Sequence, residues 1–413
     1  MSREGIQHVT ADAILAELFT DEARANPYPI YQALREFGPV APLTAERSGV
    51  RDLAAVATGY DVIDQVLRDA SFYKKDLPSM QEHLVNTTLD TSMAFVNPPT
   101  HSRMRNVFQR TFTPRRLAAL DPIIDKVVDL LLDRMEEHGA GGREIDFVDE
   151  FASVLPALVM AAFIGIPEEE LAWYRERVRP IDAFLDLNGK TLQAVEAADQ
   201  AVLELRQFYT DLIQSRRAEP REDLLTAVIN SIDAGEHKLT DYELVSNMIV
   251  LFNASFLTTI YMLGNGLPLL LTRPDVTSAL PGNAELAVDC VHEILRYEPS
   301  IQFLNRATPE DTELGGVPVA KDGVVLLLLG AANRDPARFA DPDVFDPGRE
   351  QLTSLAFGAG PHYCIGAAVT RAEGRIAWPR LFERFPKLAL AGDPVGIGSL
   401  FLRGMKSVPI TLS

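Results

Sequence analysis

The ten residues Phe357-Gly358-Ala359-Gly360-Pro361-His362-Tyr363-Cys364-Ile365-Gly366 constrain this chain more than any other segment. They set one cysteine in a glycine-punctuated loop that runs into an apolar helical stretch beginning Ala367-Ala368-Val369. A thiolate that ligates haem iron needs such a setting, with backbone N–H groups aimed at an anionic sulfur and room for a flat macrocycle to come close. Glycines at 358, 360 and 366 allow tight turns and close approach because they carry no Cβ. The helix that follows turns the positive end of its dipole toward the sulfur. A bare Gly-x-x-Cys would read as a buried structural cysteine in a turn. Three glycines with Phe357 and His362 at these offsets read instead as a haem loop, with Cys364 as the metal ligand.

At 413 residues the chain is long enough for two or three domains. No Gly/Ser linker, low-complexity segment or internal repeat marks a boundary, so residues 1–413 are expected to form a single domain. A formal charge of −19 argues against nucleic-acid binding and for a soluble protein. Cys290 and Cys364 are the only cysteines, which leaves no disulfide framework if one holds iron and points to the reducing cytoplasm. Cys290 itself reads as a small buried hydrophobe and His292 as a helix-surface or core histidine. The segment from Met1 to Glu17 carries charges where a secretory leader or anchor needs an unbroken apolar run. The apolar run Val324 to Leu329 is far short of the ~20 residues of a membrane span and reads as a buried strand. No membrane association is therefore expected.

Helical spacing or strong helix formers mark Ala11 to Phe19, Tyr28 to Phe37, Tyr60 to Leu67, His101 to Phe112, Ile123 to His138 and Val148 to Ile164. They continue through Glu168 to Arg177, Leu192 to Arg217, Asp241 to Leu271 and Glu285 to Tyr297. Strand signals are fewer: Leu53 to Thr58, Thr312 to Leu314, Val317 to Val319, Val324 to Leu329 and Val408 to Leu412. The expected fold class is mainly α with small β-sheets at the edge of a helical body.

The cysteine loop matches Phe-Gly-x-Gly-x-His-x-Cys-x-Gly without a mismatch. In this it resembles the cytochrome P-450 family, specifically the soluble bacterial kind. The resemblance implies a haem-thiolate monooxygenase in which haem b (iron protoporphyrin IX) lies between a long distal helix and the proximal cysteine loop. Phe357, Gly358, His362 and Gly366 would then border the cofactor.

Three further groups of residues carry the resemblance. Glu293 and Arg296 share a helix face at i,i+3, and taken alone such a pair is usually a solvated ion pair worth little. In the family this Glu-x-x-Arg is joined by an arginine from a later meander, where this chain has Phe345-Asp346-Pro347-Gly348-Arg349, so Glu293, Arg296 and Arg349 look like a structural triad. His101 and Arg105 follow Asn97-Pro98-Pro99 and match a family Asp-Pro-Pro-x-His-x-x-x-Arg segment except for Asn97 in place of Asp. With Arg306 and His362 they match the family's partners for the haem propionates. From Thr91 to Leu120 there is no acidic residue, while Arg103, Arg105, Arg110, Arg115 and Arg116 all fall there. Such a patch can steer an acidic protein, and the resemblance implies a separate ferredoxin with its ferredoxin reductase as electron source.

The distal segment Leu251-Phe252-Asn253-Ala254-Ser255-Phe256-Leu257-Thr258-Thr259 departs from the pattern. Thr258 matches the family threonine, but Leu257 stands where an acid is usual and Ser255 where glycine is usual. The acid normally relays protons by general acid–base action, and leucine cannot. Asn253, one turn before Leu257, could hold a water, and the Ser255 hydroxyl could bond back to the preceding turn. Thr258, Ser255 and Asn253 are the candidate catalytic residues. The readings that follow are an oxygen-activating monooxygenase that tailors a secondary metabolite, a haem-thiolate enzyme with peroxide-driven, substrate-assisted or non-hydroxylating chemistry, and a haem protein that binds ligand without turnover. An apolar small-molecule pocket is expected from Phe72 to Phe95, Ile181 to Leu187, Met248 to Thr259, Ile301 to Leu304 and Ser399 to Leu402.

Overall fold

A computed structural model describes residues 10–44, 53–75, 89–185, 191–235 and 238–413. Eight helices build the body: α1 (Thr100–Thr111), α2 (Asp121–His138), α3 (Leu155–Ile164), α4 (Leu171–Leu185), α5 (Leu192–Ala218), α6 (Asp241–Leu271), α7 (Ala284–Tyr297) and α8 (Ala367–Arg384). Helix α6 runs through the middle of the largest apolar cluster, burying Leu244, Phe252, Met262, Leu263, Leu267 and Leu270. A helix apolar on nearly every side must be surrounded. It is the one described helix long and apolar enough to cross a membrane, and 72 % of its most apolar window is buried inside the protein, as in a core helix. Its start is fixed by a reciprocal cap: Thr240 Oγ1 accepts from the Glu243 N–H at 3.2 Å while Glu243 Oε2 accepts from the Thr240 N–H at 2.9 Å.

Close approach of helices explains one glycine of α6. A Cβ at Gly266 would lie 2.7 Å from Ile294 Cδ1 on α7 and 2.9 Å from the buried Trp378 ring on α8. Gly266 thus lets three helices meet behind the cysteine loop. Helices α2 and α8 run side by side, with Arg375–Asp121 at 2.6 Å, Arg380–Asp125 at 2.7 Å and Arg384–Asp133 at 2.8 Å along their exposed edge. Exposed pairs of this kind are each worth well under about 1 kcal/mol; the buried apolar contacts do the holding.

The main sheet has four strands, β1 (Val40–Pro42), β2 (Leu53–Ala57), β3 (Phe303–Ala307) and β4 (Val324–Leu328), in the spatial order β1-β2-β4-β3. Strands β2 and β4 are parallel and the outer pairings antiparallel. Strand β3 carries Arg306 to the edge of the helical body.

The expected strands at 312–314 and 317–319 occur as a small hairpin. The expected helix from Val148 to Ile164 does not form as one piece. Residues Val148–Ala152 make a wide turn in which the Ser153 N–H donates to Val148 O at 2.8 Å, and α3 restarts at Leu155. Pro156 is the cause: in the first turn of a new helix its missing N–H costs nothing, whereas inside a continuous one it would break a bond. The helix Leu224–Asp233 and strand β3 were not expected. Asp223 starts the former as a side-chain cap, and β3, Phe-Leu-Asn-Arg-Ala, lacks alternation and is strand because β4 supplies its partner.

Candidate functional site

The cysteine loop takes a conformation open mainly to glycine. Gly358 and Gly360 have φ of +68° and +65°, and a Cβ at Gly360 would sit 2.2 Å from the Leu67 carbonyl oxygen. The Cys364 N–H donates to Phe357 O at 2.9 Å, closing the loop. Gly366 is the N-terminal cap residue of α8, which brings the first N–H groups of that helix to the sulfur. Burial pushes the Cys364 thiol up, while the Gly366 N–H, the Arg105 charge and the Ala367 N–H pull it down. These are the donors that steady a thiolate. Cys364 is exposed and lines a cavity.

That cavity, about 230 Å³, lies between the cysteine loop and α6. Leu251, Ala254, Ser255, Thr258 and Thr259 line it, the i, i+3, i+4, i+7, i+8 stripe of a single helix face. Ile301, Leu304 and Leu295 add apolar wall, and Phe112 and Met160, unexpected from sequence, complete it. Thr258 Oγ1 donates to Ala254 O and Ser255 Oγ to Phe252 O, both at 2.8 Å. With their protons engaged, both hydroxyls retain lone pairs for a donor in the cavity.

Two expectations are corrected here. Asn253 does not line the cavity; it is buried with Oδ1 lacking a partner, and Leu257, one turn later on the same stripe, packs against the main core. Positions 253 and 257 are out of phase with 254 and 258 by the helical repeat. Ser399 to Leu402 also stays outside the lining and backs Ile301 through a bridge to Leu402. Of the remaining expected pocket segments, residues 76–88 and 186–187 lie outside the described residues. One carboxyl among the described residues does line the cavity: Glu373 on α8, 1 % exposed, with Oε1 unpartnered. Beside it Thr370 Oγ1 and Thr259 Oγ1 lie 3.3 Å apart, joining α8 to α6.

At one edge of the cavity the cations gather. The His101 and His362 rings lie against each other, tilted by 38° with centroids 3.9 Å apart. Burial, then Lys74, Arg105 and Arg306, lowers His101 to about 4. Burial, then Lys74, His101, Arg306 and Arg105, lowers His362 to about 2. Burial alone brings Arg306 to about 10. Every charge acting on the two imidazoles is positive, and His101 Nδ1 is buried without a protein partner. Like charges collected in a half-buried site require an anionic ligand. A flat group with two carboxylates at one edge and an iron for the Cys364 sulfur meets each requirement, so the residues present fit haem. Lys74 belongs to this cluster and was not anticipated, because it lies in none of the motifs that mark the other cations.

Behind the loop the buried triad assembles. Arg296 grips Glu293 with two bonds of 2.7 Å, both side chains fully buried. Its other donors reach the carbonyls of Asn333, Pro342 and Val344 at 2.9, 2.8 and 3.0 Å. Arg349 Nε lies 3.5 Å from Glu293 Oε1, and the Asp346 N–H donates to the same oxygen at 2.8 Å. Cys290 on α7 is buried away from the cavity, and burial raises its thiol to about 12. Burial likewise lowers His292.

The family model described as cytochrome P450 matches residues 35–394. The 6-deoxyerythronolide B hydroxylase of Saccharopolyspora erythraea is 34 % identical, covering 96 % of this chain and 98 % of its own. The cytochrome P-450 monooxygenase PikC of Streptomyces venezuelae is 35 % identical over 94 % of this chain and 91 % of its own. Among solved structures, PksS, the cytochrome P-450 of the bacillaene polyketide synthase of Bacillus subtilis 168, superposes with a TM-score of 0.82 at 28 % identity, covering 96 % of this chain and all of the other.

Proposed function

This chain belongs to the cytochrome P-450 family and is an oxidoreductase, and from that premise we propose that it activates dioxygen to hydroxylate or otherwise oxidise an apolar small molecule, tailoring a secondary metabolite in the cytoplasm. The observation that carries this reading is the cavity itself, with a thiol at its floor, an apolar helix face opposite, and a ring of cations at one edge. Relatives named for 6-deoxyerythronolide B and bacillaene support a substrate of that kind.

Bound here, haem would supply the activation of dioxygen, favoured by the electron density that a thiolate ligand donates. Cys364 would ligate that iron. His101, Arg105, Arg306 and His362 would hold its carboxylates. The non-covalent form, haem b, is favoured because the other cysteine, Cys290, does not reach the cavity. Leu251, Ala254, Leu295, Ile301 and Leu304 exclude water and offer an apolar surface to substrate. Thr258 Oγ1, its proton committed to Ala254 O, can accept a hydrogen bond from a cavity water and so orient it. Electrons would come from a separate ferredoxin and its reductase.

Leu257 supports a second reading, in which the oxidant is peroxide or the substrate supplies the missing proton donor, because the usual acid position is apolar and core-packed. Two measurements separate these. The reduced protein with carbon monoxide should show the red-shifted band of a thiolate-ligated haem, absent in Cys364→Ser. Substrate-dependent oxygen consumption with ferredoxin and reductase supports the monooxygenase; product with peroxide alone supports the second reading; a spectral change without either would make the protein a ligand binder.

A further inference from the structure

Lys74 is placed by three independent backbone ties. Its own N–H donates to Asn97 Oδ1 at 2.8 Å, and its carbonyl accepts from Asn97 Nδ2 at 2.9 Å. Its neighbour Tyr73 forms a two-way bridge with Ala307, N–H to O at 3.2 Å and 2.8 Å. That bridge sets Lys74 beside Arg306, the residue before Ala307 on β3. The ammonium donates to Ala94 O, and burial together with Arg306 lowers Lys74 to about 7. Lys74 also acts on both imidazoles, disfavouring their charged forms. It is thus a charge inserted among like charges.

Asn97 explains how the position is kept. An amide both accepts from and donates to the Lys74 backbone, whereas an aspartate could accept but not donate. With asparagine the Lys74 backbone is held at both its N–H and its carbonyl, and an aspartate would lose the second tie.

We propose that Lys74, held by Asn97 and by the Tyr73–Ala307 bridge, is a further cationic anchor for the haem carboxylates, and that its charge helps set both how tightly haem is retained and how readily the iron is reduced. The proposal rests on the haem-thiolate reading above. An unpaired cation cluster of this density is costly until an anion enters it; a ligand with two carboxylates relieves Lys74, Arg306 and the imidazoles together.

The test uses the holoprotein and its Lys74→Met, Lys74→Arg and Asn97→Asp variants. Transfer of haem to excess apomyoglobin should run roughly tenfold faster from Lys74→Met, a loss of about 1.4 kcal/mol of retention, with Lys74→Arg restored to near the parent rate and Asn97→Asp between them. The reduction potential of Lys74→Met should move negative, since removing a cation disfavours the added electron, and that of Lys74→Arg should not. The proposal is overturned if Lys74→Met loses haem at the parent rate, if haem loss accelerates without a negative shift in potential, if arginine fails to restore both, or if Asn97→Asp behaves as the parent does. Should Lys74→Met not fold, parent-like haem loss and potential in Lys74→Arg together with an intermediate Asn97→Asp uphold the proposal; any other outcome for that pair overturns it. The carbon-monoxide band of the reduced variants keeps the two levels apart, because its loss from the parent protein would sink the haem-thiolate reading itself, while its persistence in every variant leaves only Lys74 at issue.

Discussion

Glu373 presents a carboxyl to the cavity with no ion pair to hold its charge. Burial pushes it up to about 8 from an ordinary 4.5, so at neutral pH it is protonated and donates rather than accepts a hydrogen bond. Its Oε1 has no protein partner, and the Thr259–Thr370 pair lies in the same wall. Because the folded state binds this proton more tightly than the unfolded chain, the carboxyl contributes stability that is fully present below about pH 4.5 and is lost as pH rises toward 8. Glu373→Gln keeps the shape and removes the ionisation. Its thermal midpoint should fall less than the parent's between pH 5 and pH 8, the difference amounting to a few kcal/mol on the order-of-magnitude scale of such shifts. Parallel curves for the two proteins would mean that Glu373 finds a partner for its charge.

At the level of elements, α7 and the meander before the cysteine loop are locked by one carboxylate. Glu293 takes two bonds from Arg296, one from the Asp346 N–H and the flank of Arg349. Glu293→Ala leaves the buried guanidinium of Arg296 without its counter-charge, which costs about 3–5 kcal/mol in comparable pairs. Haem content per chain after purification should fall to near zero, and a soluble, fully haem-loaded variant would show that the lock is dispensable. The spacing of Glu293 and Arg296 alone reads as an ordinary ion pair, and the triad was legible only through the family pattern that adds Arg349. The cysteine loop was legible from its own residues, its glycines and its donors lying within a few residues of Cys364. Residues that depend on distant segments and match no such pattern were not legible. Lys74 joins the cations only through the Tyr73–Ala307 bridge, and Glu373 faces the cavity only because α8 passes behind the loop. Asn253 was placed by its position one turn before Leu257, and that turn keeps both on a stripe about 100° away from the cavity-lining Ala254 and Thr258. The break before α3 was foreshadowed by Pro156 alone, a signal too weak against the apolar run on both sides.

Across the whole molecule, a net charge of −19 sets a repulsive field against any acidic partner. The stretch from Thr91 to Leu120 is the local exception, and the structure divides its arginines by task. Arg103 is drawn into a pair with Glu243, and Arg105 turns toward Cys364. Arg110 and Arg115 are exposed, and Arg116 is half-buried with one bond to Thr111 O. Next to them a shallow groove lined by Leu117, Ala118, Ala368 and Ala372 is edged by Arg371, whose guanidinium donates to the exposed Tyr363 hydroxyl one residue from Cys364. An acidic ferredoxin seated there would sit close to the thiolate and be attracted only at short range, against the field of the rest of the protein. Reduction by an acidic ferredoxin, followed by stopped flow under carbon monoxide, should therefore slow as salt rises, because the screening length shrinks from about 10 Å at 0.1 M to about 3 Å at 1 M. Arg115→Glu should lower that rate several-fold or more at low ionic strength, with the gap to the parent closing at high salt. A rate that ignores both the reversal and the salt would place the electron donor on another face.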